Sequence, residues 1–348
     1  MDEIRFGMIG CGTVAGYGHL PGITNAEGAE LVAVSDLNEA RLAELKEKYG
    51  VETYANYHDL LARDDIHAVG IATPLDKHHQ VLMDAASAGK HALCEKPIAQ
   101  TVEDGEEMVS AMEKAGKLFA INFELRWSDP VPTMKRLHDE GAIGELKVMR
   151  FVGNWMGGRW AGEDRYRMLM TEGLGAIVDC GIHDFDKARW FSGSEFDEIY
   201  ARGTNVEDWP NPDHVMATCR MKNGVLVHIE TGWAYTHNTP AHEANLRLDL
   251  IGTDGLLSYV DWQTSIEGQS TIRELSVYTK DKCYREPVTG KAKAFDRMYS
   301  LMAQSIREGR LTGLPSGRDG VEALRAALEA LRQAKAGSGQ QNAAARGS

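Results

Sequence analysis

The chain has 348 residues, 43% hydrophobic and 26% charged, which suits a soluble globular protein large enough for two domains with separate cores. Its 51 Asp plus Glu outweigh 38 Lys plus Arg, and the net charge of −13 speaks against nucleic acid or anionic membrane as general partners, though not against a small anionic substrate in a local basic pocket. No apolar run reaches bilayer length, MDEIRFGMIG has no signal pattern, and Cys11, Cys94, Cys180, Cys219 and Cys283 form no C-x-x-C pair, so a cytoplasmic protein with reduced thiols is expected.

Ile4–Ile9 reads as a short apolar strand running into Gly10-Cys11-Gly12-Thr13-Val14-Ala15. This is G-x-G-x-x-A, a dinucleotide fingerprint: Gly10 permits the tight turn, Gly12 clears space for a pyrophosphate, and the following helix aims its N–H groups at the phosphates. A second strand, Ala29–Ser35, ends on Asp36. A carboxylate there accepts both ribose hydroxyls and repels a 2′-phosphate, so NAD is favoured over NADP. Asp36 could instead cap the helix predicted over Asn38–Tyr49.

An extended piece at Val51–Tyr54, a helical turn at Tyr57–Ala62 and a buried strand at Ala68–Ala72 closing on Thr73-Pro74 come next. An amphipathic helix at Asp76–Gly89 precedes the strand His91–Cys94, which stops at Glu95-Lys96-Pro97 because proline cannot join a central ladder. Lys96 therefore stands at a carboxyl strand end, where open parallel sheets bind ligands and where desolvation can tune an amine toward acid/base work. A solvated loop lysine would read the same way. A helix at Val102–Ala115 and a strand at Leu118–Phe123 lead to Arg126 and Trp127, placed at another strand end as candidate substrate contacts. Repeated strand–helix units predict a doubly wound parallel sheet over residues 1–125.

Residues 126–336 read as an α+β domain with a large, mainly antiparallel open sheet. A helix is predicted at Pro130–Glu140 and a strand at Leu146–Trp155, followed by an irregular segment carrying Arg159, Trp160, Arg165, Tyr166 and Arg167. Arginine forks suit anions and aromatic rings suit sugar faces, so this segment could hold an acidic sugar, or be a surface loop paired with Glu163 and Asp164. Asp179 and His183, four apart, would share one face of a helix, and a carboxylate beside an imidazole fixes its tautomer and raises its basicity. Strands are predicted at Glu198–Gly203, Asp213–Met221, Gly224–Thr236, Ala244–Gly252, Leu256–Val260 and Arg273–Thr279, with Trp233, Tyr235 and His237 lining either a core or a sugar site. No zinc-like histidine spacing occurs, so no metal is expected. Helices at Ala294–Glu308 and Asp319–Ala334 precede a small, polar tail, 337–348, expected to be disordered. One sheet face lacks a predicted helix to cover it, so a homodimer or homotetramer is expected.

Gly10-Cys11-Gly12 with His19-Leu20-Pro21, Thr73-Pro74 with His78, and Ala88-Gly89-Lys90-His91 before Glu95-Lys96-Pro97 together resemble the Gfo/Idh/MocA family, the glucose–fructose oxidoreductase and inositol dehydrogenase superfamily. The likeness runs through nearly the whole chain and departs at Leu75, where many members carry asparagine. It implies an NAD(P)-dependent sugar or polyol dehydrogenase, with cofactor contacts at Gly10, Cys11, Gly12, Thr13, Val14, Asp36, Thr73, Pro74, His78, Glu95 and Lys96. Asp179-Cys180-Gly181-Ile182-His183 matches the family's D-x-G-x-H motif, implying His183 as base, Asp179 as its partner and Lys96 beside the nicotinamide, with Asp186 structural and the Lys96–Pro97 bond cis. A second branch of the family, oxidoreductive glycosidases that recycle NAD, is equally compatible with these motifs and would include acidic-sugar glycosides. A non-enzymatic dinucleotide sensor is a more distant reading, since a sensor needs none of Lys96, Asp179 and His183.

Overall fold

The computed structural model describes residues 3–157, 162–171, 173–236, 238–291 and 293–345, the side chains of 337–345 excepted. The chain divides into two compact units, Met1–Trp127 with Ala292–Leu324, and Ser128–Lys291 with Arg325–Ser348.

The first unit starts with β1 (Ile4–Ile9), α1 (Leu20–Thr24), β2 (Ala29–Ser35), α2 (Glu39–Tyr49), β3 (Glu52–Tyr54) and α3 (Tyr57–Leu61). β4 (Ala68–Ile71), α4 (His78–Ser87), β5 (His91–Cys94), α5 (Val102–Lys114) and β6 (Phe119–Ile121) complete its first stretch. The six strands pair in parallel in the order β3-β2-β1-β4-β5-β6, the doubly wound topology expected from the sequence. Ala68, Val69, Ile71, Ala92, Leu93 and Cys94 are all buried, because helices cover both faces of such a sheet. The strand order reverses between β1 and β4, and ligands of this topology bind beyond the carboxyl ends at that point.

The second unit contains α6 (Val131–Asp139), β7 (Leu146–Asn154), α7 (Glu163–Thr171), α8 (Gly175–Asp179) and α9 (Ile182–Ser192). Its remaining strands are β8 (Phe196–Thr204), β9 (His214–Met221), β10 (Leu226–Gly232), β11 (Glu243–Gly252), β12 (Leu256–Thr264), β13 (Ile272–Tyr278) and β14 (Cys283–Pro287). They order as β14-β13-β12-β11-β7-β10-β9-β8, antiparallel throughout except for the parallel pair β7 and β10. Register separates the faces cleanly. Cys219, Val227, Met149, Leu250, Leu257 and Val277 form one continuous buried row across six strands. On the opposite face Arg150 and Arg247 both bind the buried Asp249, which also accepts from Ser258 Oγ. Tyr200, Met216, Leu226, Ile251 and Ile272 are exposed on that same face. Two helices close the chain, α10 (Phe295–Glu308) and α11 (Gly317–Ala345).

Several sequence expectations are corrected here. A single cut at 125/126 misses the return of 292–324 to the first unit, where Tyr299 packs edge-on against Phe6 and Phe295 against His19. The irregular stretch through Arg167 contains helix α7, whose buried Tyr166 and Met170 stand four apart on one face; the glycines before it masked the period. The Asp179–His183 segment is not one helix: α8 ends at Asp179 and α9 begins at Ile182. β14 escaped prediction because its exposed, charged sequence suits an edge strand rather than an alternating one. α11 extends to Ala345, beyond the helix end expected at Ala334, and residues 346–348 lie outside the described residues. No helix among the described residues is long and apolar enough to cross a membrane.

Candidate active site

In the first unit the glycine-rich turn is built as its spacing predicts. Gly10 has φ +84°, and a Cβ there would lie 2.7 Å from the backbone of Ala72 and Thr73, so the ends of β1 and β4 approach only across glycine. At Gly12 a Cβ would meet nothing within 4 Å, which leaves the backbone open to a ligand. A helical run starts at Thr13, passes through a π-helical stretch at Ala15–His19 and continues into α1. Cys11, Gly12, Thr13, Gly16, Asp36, Asn38 and Arg41 line a cavity of about 380 Å³ at this helix start. An open glycine, free helical N–H groups and a carboxylate on the rim fit the phosphate–ribose portion of a dinucleotide. Cys11 contributes through its backbone, since burial, with Asp36 adding to it, pushes its thiol up to about 12.

Asp36 closes the rim: Oδ2 accepts from the Cys11 amide at 2.7 Å and Oδ1 from the Asn38 amide at 2.9 Å. The helix cap is Asn38, whose side chain accepts from the Arg41 amide at 3.1 Å, so the capping alternative for Asp36 does not hold. Each carboxylate oxygen keeps a second lone pair for a ribose hydroxyl.

Thr73 carries a buried hydroxyl with no hydrogen-bond partner, a fit for a ligand polar group at the end of β4. His78 was expected among the cofactor contacts. Its ring is instead buried between two carbonyls, Nδ1 2.9 Å from Pro97 O and Nε2 3.1 Å from Thr73 O, so it braces the turns around the site. Burial lowers its pKa against the pull of those carbonyls.

Lys96 is half-buried at the end of β5, and its bond to Pro97 is cis. Glu95 beside it is buried. Its Oε1 accepts from Asn122 Nδ2 at 2.6 Å and His19 Nε2 at 2.8 Å, and its Oε2 from the Lys96 amide at 3.1 Å. His19 Nδ1 in turn lies 2.6 Å from the Tyr299 hydroxyl. Burial alone would raise the Glu95 carboxyl, but His19, the Lys96 charge and Asn122 outweigh it and hold the group as an anion. Glu124 shows the opposite balance: burial raises its pKa despite Lys293 Nζ at 3.5 Å. Asn122, Tyr299 and Lys293 lie 27 to 280 residues from the groups they meet, so no local pattern announced them.

In the second unit Gly181 lets the chain turn hard against β10. A Cβ there would sit 2.5 Å from Ile177 O and 2.8 Å from Thr231 Oγ1. His183 is 6% exposed in the first turn of α9, Asp179 is half-buried at the end of α8, and Asp186 is fully buried. The Cys180 thiol donates to Asp179 Oδ2 at 3.5 Å.

The expected substrate contacts divide. Arg126 is buried and Trp127 is half-buried with the Arg297 guanidinium 5.5 Å from its ring centre. Arg165 is half-buried on α7. Tyr166 is 0% exposed, edge-on to Trp209 and tilted against Trp233 with its hydroxyl donating to Glu207 at 3.2 Å, so it is a core residue rather than a substrate contact. Trp233 is likewise core. Arg159, Trp160 and His237 lie outside the described residues.

Both units are similar to known proteins. Residues 4–123 match the profile of an oxidoreductase family with an NAD-binding Rossmann fold, and residues 131–258 match the GFO/IDH/MocA C-terminal domain. An inositol 2-dehydrogenase from Burkholderia cenocepacia is 27% identical over 347 residues, 96% of this chain and 95% of that protein. The myo-inositol 2-dehydrogenase of Thermotoga maritima is 29% identical over 258 residues, 72% of this chain and 74% of the relative. Among solved structures, apo scyllo-inositol dehydrogenase from Lactobacillus casei superimposes with a TM-score of 0.76 at 26% identity, covering 96% of each chain. A nicotinamide-dinucleotide fold in the first unit, a mainly antiparallel eight-stranded sheet in the second and these matches lead to one conclusion: the chain belongs to the Gfo/Idh/MocA family of oxidoreductases.

Proposed function

We propose that this chain is an NAD-dependent dehydrogenase acting on a secondary hydroxyl of a cyclic polyol or a sugar. The observation that carries the reading is Lys96 at the carboxyl end of β5, beside an anionic Glu95, in a sheet whose glycine turn fits a dinucleotide. The relatives named as inositol dehydrogenases, similar over nearly the full chain, support a cyclic polyol.

A bound nicotinamide supplies the hydride acceptor. His183 takes the hydroxyl proton as base, and Asp179 orients and stabilises the imidazolium that results. Lys96 stabilises the developing alkoxide and relays the proton. Glu95, held by His19 and Asn122, keeps a negative charge next to Lys96.

The test is a panel of neutral cyclic polyols and of neutral and anionic sugars, free and as glycosides, incubated with the chain and NAD. Net NADH formation with cyclic polyols is expected. Aglycone release without net NADH would replace this reading by the oxidoreductive glycosidase. No turnover on any member would leave the polyol assignment without support.

The second unit bears on assembly. Exposed Tyr200, Met216, Leu226, Ile251 and Ile272 share a sheet face with ion-paired arginines, a mixture suited to association with a second copy. Light scattering at micromolar concentration is expected to give a dimer or tetramer mass, and a monomer mass refutes the proposal.

A further inference from the structure

One buried carboxyl near Lys96 has no part in the mechanism above. β5 and β6 are parallel neighbours with Cys94 opposite Ile121, and the Asn122 amide donates to Cys94 O at 2.7 Å just beyond them. Glu95 and Lys96 therefore leave one strand end beside the short helical turn Glu124–Trp127 that leaves the other. Adjacent strands lie about 4.8 Å apart, close enough for the charges of Glu95 and Lys96 to act on Glu124. Glu124 itself is 3% exposed.

Two carboxyls thus stand near one lysine with opposite tendencies. Glu95 is tied by His19, Asn122 and the Lys96 amide and stays an anion. Glu124 is raised by burial and further by the Glu95 charge, against Lys293 and Lys96, which suits it to exchange a proton rather than to hold a fixed charge. Its route to water is short. Lys293 Nζ lies 3.5 Å from Glu124 Oε1 and donates to the Tyr17 hydroxyl at 3.1 Å. The Lys293 side chain is 45% exposed and Tyr17 is exposed, so this buried acid meets solvent across one ion pair. The other charged or titratable groups about this turn are His19, held by Glu95 and Tyr299, Arg126 on the turn itself, and Arg297 over the Trp127 ring.

We infer that Glu124 is the proton exit of the Lys96 site: it takes the proton that Lys96 passes on and delivers it to water beside Lys293. The inference rests on the dehydrogenase reading above. Oxidation of a secondary alcohol gives its C–H hydrogen, with the electron pair, to the oxidised nicotinamide and releases the O–H proton. As the relayed proton arrives at Lys96, the ammonium gives one to the Glu124 carboxylate, and the carboxylic acid so formed loses it to water. One C–H and one O–H bond break, a C=O double bond forms, and one proton leaves. Glu124 touches neither substrate nor cofactor in this scheme and acts through Lys96.

The experiment uses the full chain, unaltered and carrying Glu124→Gln, Lys293→Met or Lys96→Met. Carbon NMR of protein labelled at the glutamate carboxyl carbons, followed over pH, needs no substrate, and the Glu124 signal is the one missing from Glu124→Gln. Its midpoint is expected above the ordinary 4.5 and higher still in Lys96→Met and Lys293→Met, since each loses a positive charge that favours the carboxylate. Turnover is then measured with saturating NAD on a substrate from the polyol panel. The ratio of unaltered to Glu124→Gln kcat is expected to climb with pH through the Glu124 midpoint to about 10²-fold, the lower end for one proton-transfer group. In the Lys293→Met background that climb should move to higher pH with the midpoint. Glu124→Met also removes the carboxyl and carries the test if the glutamine variant does not fold. A carboxyl that only anchors Lys293 gives a ratio that does not change with pH. Such a flat ratio, or a Glu124 midpoint indifferent to Lys96→Met, overturns the inference. If no member of the panel is turned over, the polyol reading falls, and the response of the midpoint to Lys96→Met still decides whether Glu124 is coupled to Lys96.

Discussion

Lys96→Met and His183→Ala are each expected to lose on the order of 10²–10⁴ in turnover, the range typical of one acid/base group, while still binding NADH. Neither residue belongs to the glycine turn or to the Asp36 rim, so nucleotide affinity and turnover should separate. Lys96→Arg makes the role sharper. It keeps a positive charge but cannot release a proton, so it should recover alkoxide stabilisation without the proton relay and fall between the Met variant and the unaltered chain. Steady-state turnover on a substrate found in the polyol panel, together with NADH titration, checks all three. Near-full activity in either the Met or the Ala variant removes that residue from the mechanism. Loss of NADH binding in both would point to damaged folding instead.

Glu95→Gln is expected to destabilise the first unit substantially, and Glu95→Ala by about 3–5 kcal/mol, the usual result of removing one partner from a buried charged network. In the alanine variant His19 Nε2, Asn122 Nδ2 and the Lys96 amide would all lose their acceptor. The pH dependence has a definite sign. The Glu95 carboxyl is held below its ordinary 4.5 in the fold, so the unfolded chain protonates first. Its contribution is complete above pH 4.5 and is lost as pH falls toward the folded value. The stability gap between the unaltered chain and Glu95→Gln should therefore narrow below pH 4.5. Glu124 acts oppositely: its raised pKa adds stability below 4.5 that is lost as pH rises through its folded value, so it must be left unaltered in the comparison. Urea midpoints measured on both sides of pH 4.5 decide the matter, and a constant gap would mean that Glu95 is not held as an anion.

Much of the fold is written in short-range patterns. Glycine spacing after β1, apolar strands alternating with amphipathic helices, and a proline behind Lys96 are properties of neighbouring residues, and local sterics or periodicity is enough to read them. The alternation of buried Val225, Val227 and Ile229 with the more exposed Leu226, His228 and Glu230 is of the same local kind, since side chains on a strand point to opposite sides. Lys96, Asp36 and the Gly10–Gly12 turn were therefore legible as site residues.

The tertiary structure decided whatever depends on residues far apart in sequence or on how tightly backbones approach. His19, Glu95, Asn122 and Tyr299 become one network only because the helical run after β1, the ends of β5 and β6 and the first part of α10 meet, and nothing in the neighbourhood of any of them encodes the other three. Tyr166 looked like a binding aromatic until its burial against Trp209 and Trp233 was seen, since an aromatic beside an arginine has the same local signature in a core as in a pocket. Asp179 and His183 have the spacing of one helix, yet the close passage of Gly181 against Ile177 and Thr231 breaks it in two. Glu124 carried no signal in its spacing, because what gives it meaning is burial beside the end of β5 and an ion pair with Lys293 of the returning segment. Local sequence sets which backbone shapes are possible; packing between distant segments chooses the partners that give those shapes their chemistry.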